Sequence, residues 1–174
     1  MPFRTISPHI DGDTPRLKIT DIECHVLLAP DYDVSFTSSA QDSLIVVIHT
    51  DGGEFLVMER RRPPGFWQSV TGSLEWGESA DKAARREVIE ETAITQGVLV
   101  NLQWTQVYDI LPSFGKVYAP GITRNLEHAF SLRLPARVPV TLSEHVEYRW
   151  LPGVEAVALV SSSTNRAVIE ALRF

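Results

Sequence analysis

The sequence predicts an α/β fold in which a mixed β-sheet lies between helices, with an extra β element at its N-terminal end. Three observations carry that prediction. Apolar residues recur in short runs bounded by glycine, proline and aspartate, as strands require. Two segments, 79–92 and 163–172, instead place good helix formers behind capping residues. The length of 174 residues, 44% hydrophobic and 22% charged, suits one domain that buries its own core.

Residues 1–16 are polar and broken by Pro2, Pro8, Gly12 and Pro15, and read as a flexible arm. No long apolar run follows a basic stretch there, so a signal peptide is not expected. Leu17, Ile19, Ile22, Cys24, Val26 and Leu28 alternate with one slip of register and predict a strand. Segment 17–41 is therefore an added strand and loop before a main domain at 42–174. Asp42–Thr50 (DSLIVVIHT) is a buried strand, Asp51-Gly52-Gly53 its turn, and Glu54–Arg60 its hairpin partner. Pro63-Pro64-Gly65 then breaks the chain. Ser79 is a suitable N-cap for a helix to Thr92, with Asp81 in the first turn. Val98–Ile110, Glu127–Leu134 and Tyr148–Leu151 predict strands, and a turn-rich loop runs from Pro112 to Asn125. Ser163–Leu172 predicts a second helix, capped near Thr164 or Asn165.

Sixteen basic against 22 acidic residues give a net charge of −6, which argues against a nucleic-acid-coating protein. A polyphosphate remains a suitable partner if cations or an arginine cluster meet it. No segment has the roughly 18 continuous apolar residues of a membrane span. Cys24 is the only cysteine, so no internal disulfide forms and a reducing, cytoplasmic location is expected. The five histidines are scattered without ligand spacing.

The chemistry concentrates between Gly72 and Ile94, GSLEWGESADKAARREVIEETAI. Gly72, Glu78, Arg86, Glu87, Val88, Glu90, Glu91 and Ile94 match the Nudix box, and the segment resembles that family. Six single-residue demands, each met at roughly 6%, coincide by chance on the order of once in 10⁵ chains. On a helix Glu87, Glu90 and Glu91 are spaced i, i+3, i+4, so their carboxylates share about 100° of arc. They occupy the last turn, where the helix dipole disfavours negative charge. Three such groups ask for a cation, and all-oxygen ligands with room for water suit Mg²⁺, with Mn²⁺ as substitute. Arg86 lies beside this face and is placed to pair with Glu78. Ala93 stands where the family has glycine; a left-handed backbone there would cost about 1 kcal/mol.

Further blocks, Phe66-Trp67-Gln68-Ser69-Val70-Thr71-Gly72-Ser73, Tyr118–Asn125 (YAPGITRN) and Ser143-Glu144-His145, are similar to the dihydroneopterin triphosphate pyrophosphohydrolases of bacteria. That resemblance covers Leu44 to Leu172. It implies metal ligation by Glu87, Glu91 and Glu144 with Glu90 supporting, and makes Glu144, Glu90 and Glu91 the catalytic set, Glu144 as the base. It implies that Arg60 and Thr71 contact the triphosphate or the sugar-like chain, that Tyr108, Asp109, Ile110, Leu111 and Ser162 border the pterin, and that Arg124 meets a phosphate or pairs with Glu127. Ser39 stands where the family has a lysine. The implied reaction is Mg²⁺-dependent release of pyrophosphate in folate biosynthesis, with dATP or other dNTPs as side substrates. A general nucleoside triphosphate or dinucleotide-polyphosphate hydrolase, and a non-catalytic Nudix binding module or inactive fusion, are the alternatives.

Pro15 to Asp51 also looks like the opening strands of the capping domain of mandelate-racemase-type enolase-superfamily proteins. The rest of the chain is too short for that superfamily's eight-stranded barrel, which needs at least about 200 residues. The expectation is a fusion in which a borrowed hairpin supplies one strand. The strand at Leu17–Leu28 could also pair two copies into a homodimer.

Overall fold

The computed structural model describes residues 40–109 and 123–173, and it has the expected α/β architecture. The chain runs β1 (Ala40–Thr50), β2 (Glu54–Arg60), β3 (Trp67–Gln68), β4 (Val70–Ser73), α1 (Ala80–Thr92), β5 (Val98–Asp109), β6 (Arg124–Leu134), β7 (His145–Pro152), α2 (Gly153–Leu159) and α3 (Ser163–Leu172). The expected arm at 1–16 and strand at 17–28 lie outside the described residues.

All seven strands join one mixed sheet. β1 is its centre. It runs parallel to β6 over eleven residue pairs, Ala40↔Arg124 to Thr50↔Leu134, and antiparallel to β4 through Leu44↔Gly72 and Ile45↔Thr71. β5 flanks β6, while β2 carries β3 and β7. Covered on both faces, β1 reads as a continuous apolar run rather than an alternating one. Leu44, Val46 and Ile48 pack with Ala83, Ala84 and Val88 of α1. Ile45 and Val47 face the other way, to Ala156 of α2 and Val168, Ile169 and Leu172 of α3. The sheet is thus sandwiched between α1 and the α2–α3 pair. Ala40–Thr50, the last part of the stretch that resembles an enolase-type cap, is an integral strand of this sheet.

Several elements depart from the sequence reading. Trp67–Gln68 and Val70–Ser73 are short strands, and α2 is a seven-residue helix too short to show a period. β7 begins at His145, three residues earlier than expected, because the polar His145 and Glu147 on either side of Val146 hide the start of the strand. The cap of α3 is Ser162, whose hydroxyl accepts the Asn165 N–H at 3.0 Å, and not Thr164 or Asn165. Among the described residues no helix is long and apolar enough to cross a membrane.

Candidate active site

The site is assembled at the C-terminal end of α1. Ala83 and Ala84 are fully buried against the sheet, so the same helix face carries Glu87 and Glu91 inward one and two turns later. Ser79 caps the helix by backbone geometry without a side-chain bond. At the other end, Ala93 adopts φ 59°, ψ 16°, and its N–H donates to the Ile89 carbonyl at 2.9 Å. The left-handed stop anticipated for this position is present, built on alanine.

The chain after α1 returns to that end. The Thr141 N–H donates to the Thr92 carbonyl at 3.0 Å, which ties the loop 141–144 to the helix terminus. Glu144, remote in sequence, is thereby brought close enough to act electrostatically on both Glu87 and Glu91. Glu91 is 4% exposed, and its Oε2 has no hydrogen-bond partner among the described residues. Burial, then the charges of Glu87 and Glu144, push its pKa up to about 9, against a hydrogen bond from the Thr71 backbone. Glu87 is half-buried, and burial raises its pKa despite the Arg86 contact. Its carboxyl occupies the space a Cβ at Gly72 would fill, which is why the box begins with glycine.

Arg86 is the organiser. Its guanidinium donates to both Glu78 oxygens at 3.1 and 2.8 Å, to Glu87 at 2.7 Å, to Glu90 at 3.2 Å and to the Ser73 carbonyl at 3.0 Å. The expected Arg86–Glu78 pair is present and closes the loop 74–78 against the helix. Glu90 is turned outward, with a side chain 57% exposed, and does not line the cleft. Among the described residues no three acidic or histidine side chains are gathered to hold an ion as they stand. The donor set nevertheless fits one. The unpartnered buried oxygen of Glu91, a second carboxylate at Glu87 and a third at Glu144 are the hard oxygen ligands a small divalent cation takes.

These groups open into a cleft of about 1040 Å³. Arg60, Arg61 and Arg62 line it, as do Thr71, Gly72, Glu87, Glu91 and Glu144. Tyr108, Asp109 and Ser162 also line it, as the resemblance implied, whereas Ile110 and Leu111 fall outside the described residues. Arg124 lies 3.5 Å from Asp109, which itself lines the cleft. Glu127, its alternative partner in the sequence reading, turns instead into the cleft.

Several residues were not legible as site residues. His145 is buried beside the cluster, its Nδ1 3.9 Å from Glu91 Oε2. Burial and Arg60 lower its pKa to about 4, so it is neutral and the contact is not an ion pair. Its only signal was adjacency to Glu144. Gln68 bridges His145 Nε2 at 3.3 Å and the Thr71 hydroxyl at 3.0 Å. Asn165 accepts the Ser69 N–H at 2.7 Å and donates to the Ser69 hydroxyl at 2.9 Å, pinning the FWQS segment to α3.

The profile described as NUDIX domain matches residues 40–172. The dihydroneopterin triphosphate diphosphatase of Escherichia coli (strain K12) is 44% identical over 133 residues, covering 74% of this chain and 89% of that protein. The protein of that name from Haemophilus influenzae is 34% identical over 137 residues, covering 76% of this chain and 87% of that one. The solved structure of the E. coli dihydroneopterin triphosphate pyrophosphohydrolase superposes with a TM-score of 0.72 at 44% identity, covering 74% of this chain and 92% of the other.

Proposed function

The chain belongs to the Nudix hydrolase family, and we propose that it hydrolyses dihydroneopterin triphosphate to dihydroneopterin monophosphate and pyrophosphate, with dNTPs as side substrates. One observation carries the reading. A single cleft joins carboxylates from two distant segments, Glu87 and Glu91 with Glu144, to the arginines that follow β2. Anionic phosphates need the second group, and the cation that accompanies them needs the first.

Nudix hydrolases work with divalent metal. Mg²⁺, with Mn²⁺ as substitute, would be held by Glu87, Glu91 and Glu144, with Glu90 in support; bound there, it supplies charge neutralisation and a more acidic attacking water. The remaining work falls to the chain. Arg60 and Thr71 hold the triphosphate so that its α–β anhydride lies beside the acidic cluster. Glu144, exposed at the mouth, takes the proton as the water oxygen bonds to phosphorus and the bridging P–O bond breaks. Neutral His145 and Gln68 fill the wall behind Glu91 and keep bulk water out. Tyr108, Asp109 and Ser162 border the ring system. Positioning and electrostatics dominate, as expected where little covalent chemistry is asked of a protein.

The arm expected at 1–16 and the added strand and loop expected at 17–41 take no part in this proposal. Pairing of that strand between two copies would give a homodimer, and a monomeric mass by light scattering at micromolar concentration would reject the dimer.

The test is pyrophosphate and phosphate release with Mg²⁺ from dihydroneopterin triphosphate, dATP and the other dNTPs. Pyrophosphate released fastest from the pterin substrate supports the reading. Activity confined to dNTPs would keep the hydrolase and sink the pterin role.

A further inference from the structure

On the α3 side of the cleft stands a carboxylate that the hydrolysis does not use. Glu127 sits on β6 in register with Ser43 of β1 and Gln106 of β5. That register turns it away from the face that packs on α1. It is 5% exposed, yet it lines the cleft. Thr164, at the start of α3, hydrogen-bonds it, while its Oε2 is buried without a hydrogen-bond partner among the described residues. A buried acceptor left without a donor costs about 1–3 kcal/mol, so its persistence in a cleft wall points to a donor supplied by a ligand.

The chemistry of that donor is constrained. A phosphate is excluded by like charge. A carboxylate accepts two parallel N–H bonds readily, and so recognises a group presenting two adjacent N–H donors. The 2-amino-4-oxopyrimidine half of a pterin has such an edge in its ring N–H and exocyclic amino group; guanine has the same one. The two ends of the cleft thus differ in kind, with arginines and the metal-binding carboxylates suited to phosphates and Glu127 suited to the ring.

We infer that Glu127 is the specificity-determining residue of the cleft, accepting the ring N–H and amino group of a 2-amino-oxopyrimidine-containing triphosphate. This rests on the hydrolase reading above and adds to it which edge of the ring is read. Tyr108, whose hydroxyl accepts from Asn125 Nδ2 at 2.7 Å, lines the same cleft.

Glu127→Gln replaces one acceptor oxygen by a donor at constant shape. The expected result is a fall in kcat/KM of about 10- to 100-fold for dihydroneopterin triphosphate and for dGTP, with less than about threefold change for dATP, which lacks the edge. Equal losses on all three substrates, or no loss on any, would overturn the assignment. A wild-type comparison holds even if the variant fails to fold by circular dichroism. dITP is dGTP without the amino group, and a preference for dGTP of about tenfold or more supports the role, whereas equal rates overturn it. The dGTP/dITP contrast involves no pterin, so failure of the pterin reading is seen separately, as the absence of any preference for dihydroneopterin triphosphate over the dNTPs.

Discussion

The two sides of the cleft are built by opposite means. On the α1 side, like charges are forced together: Glu87, Glu91 and Glu144 act on one another, and one Glu91 oxygen has no hydrogen-bond partner. On the α3 side, Glu127 apart, neutral groups satisfy each other: Asn165 and Ser69 exchange two hydrogen bonds, and Ser162 caps the helix. The first arrangement is electrostatically costly for the metal-free fold and gains its partner only with a cation. The second stabilises the fold whether or not anything is bound. Substitutions should therefore separate activity from stability according to the side they fall on.

The largest effect is expected at Glu91. Glu91→Gln should lower kcat by about 10³-fold or more, since it removes a carboxylate proposed to hold the metal and with it about 4 kcal/mol of barrier reduction. The same change should stabilise the metal-free protein. Glu91 has a folded pKa near 9, above its ordinary 4.5, so the unfolded chain releases the proton first. Between those values the native state binds more protons than the unfolded state, and stability falls as pH rises. Metal-free wild type should thus lose stability from about pH 4.5 toward pH 9, and Glu91→Gln should show a shallower slope, the part left by the raised Glu87 and Glu127. Parallel pH dependences of melting in the two proteins, measured in chelator, would contradict the unpaired carboxylate.

Gly72→Ala comes next. An added Cβ would overlap the Glu87 carboxyl, the movable end of a flexible side chain, so that carboxyl must swing away while the backbone stays. The expected outcome is a loss of about 10- to 100-fold in metal affinity, comparable to disturbing a ligand's supporting contacts, with stability changed by less than about 1 kcal/mol. Metal titration of activity against a melting curve separates the two. A large drop in melting temperature with normal metal affinity would place the role of Gly72 in the turn instead.

Asn165→Ala tests the other side. It orphans the buried Ser69 N–H and unpins β3–β4 from α3, and should cost about 2 kcal/mol of stability. The metal concentration needed for half-maximal activity should not move. A shift in that concentration would show that the two sides of the cleft are mechanically coupled.

This division also decides what could be read from the sequence. The α1 side is local: Gly72, Glu78, Arg86, Glu87 and Glu91 fall within twenty residues, and the shared face of Glu87 and Glu91 followed from helical period while Gly72 and Glu78 followed from the box pattern. Glu144 was reachable only through resemblance, because the Thr141–Thr92 bond that docks its loop is a tertiary contact. The α3 side is assembled from Ser43, Ser69, Glu127 and Asn165, each on a different element, and no spacing links them. His145 and Gln68 were invisible for the same reason. β1, β2, α1 and α3 were legible because each buries a long apolar face, whereas β3, β4 and α2 are short and held by contacts from elsewhere. Glu90 shares that arc at its exposed edge, where it accepts from the same Arg86 guanidinium as Glu87. The arc that gathers i, i+3 and i+4 is wide enough for Arg86 to draw one carboxylate outward.

The smallest predicted effect lies at the boundary of the two regimes. Ala93 ends α1 at φ 59°, a conformation that costs an L-residue roughly 1–2 kcal/mol and glycine almost nothing. The residue is exposed, so its methyl group makes little packing to lose. Its N–H to the Ile89 carbonyl, and the Thr141 bond at the adjacent Thr92 carbonyl, are backbone contacts that glycine retains. Glycine's greater freedom in the unfolded chain offsets part of the relief. Ala93→Gly should therefore raise stability by up to about 1 kcal/mol and leave kcat and metal affinity unchanged, in calorimetry and assay respectively. A loss of stability would mean that the unfolded-state entropy outweighs the strain. A change in metal affinity would mean that the strained terminus helps set the angle at which Glu91 and the Glu144 loop meet.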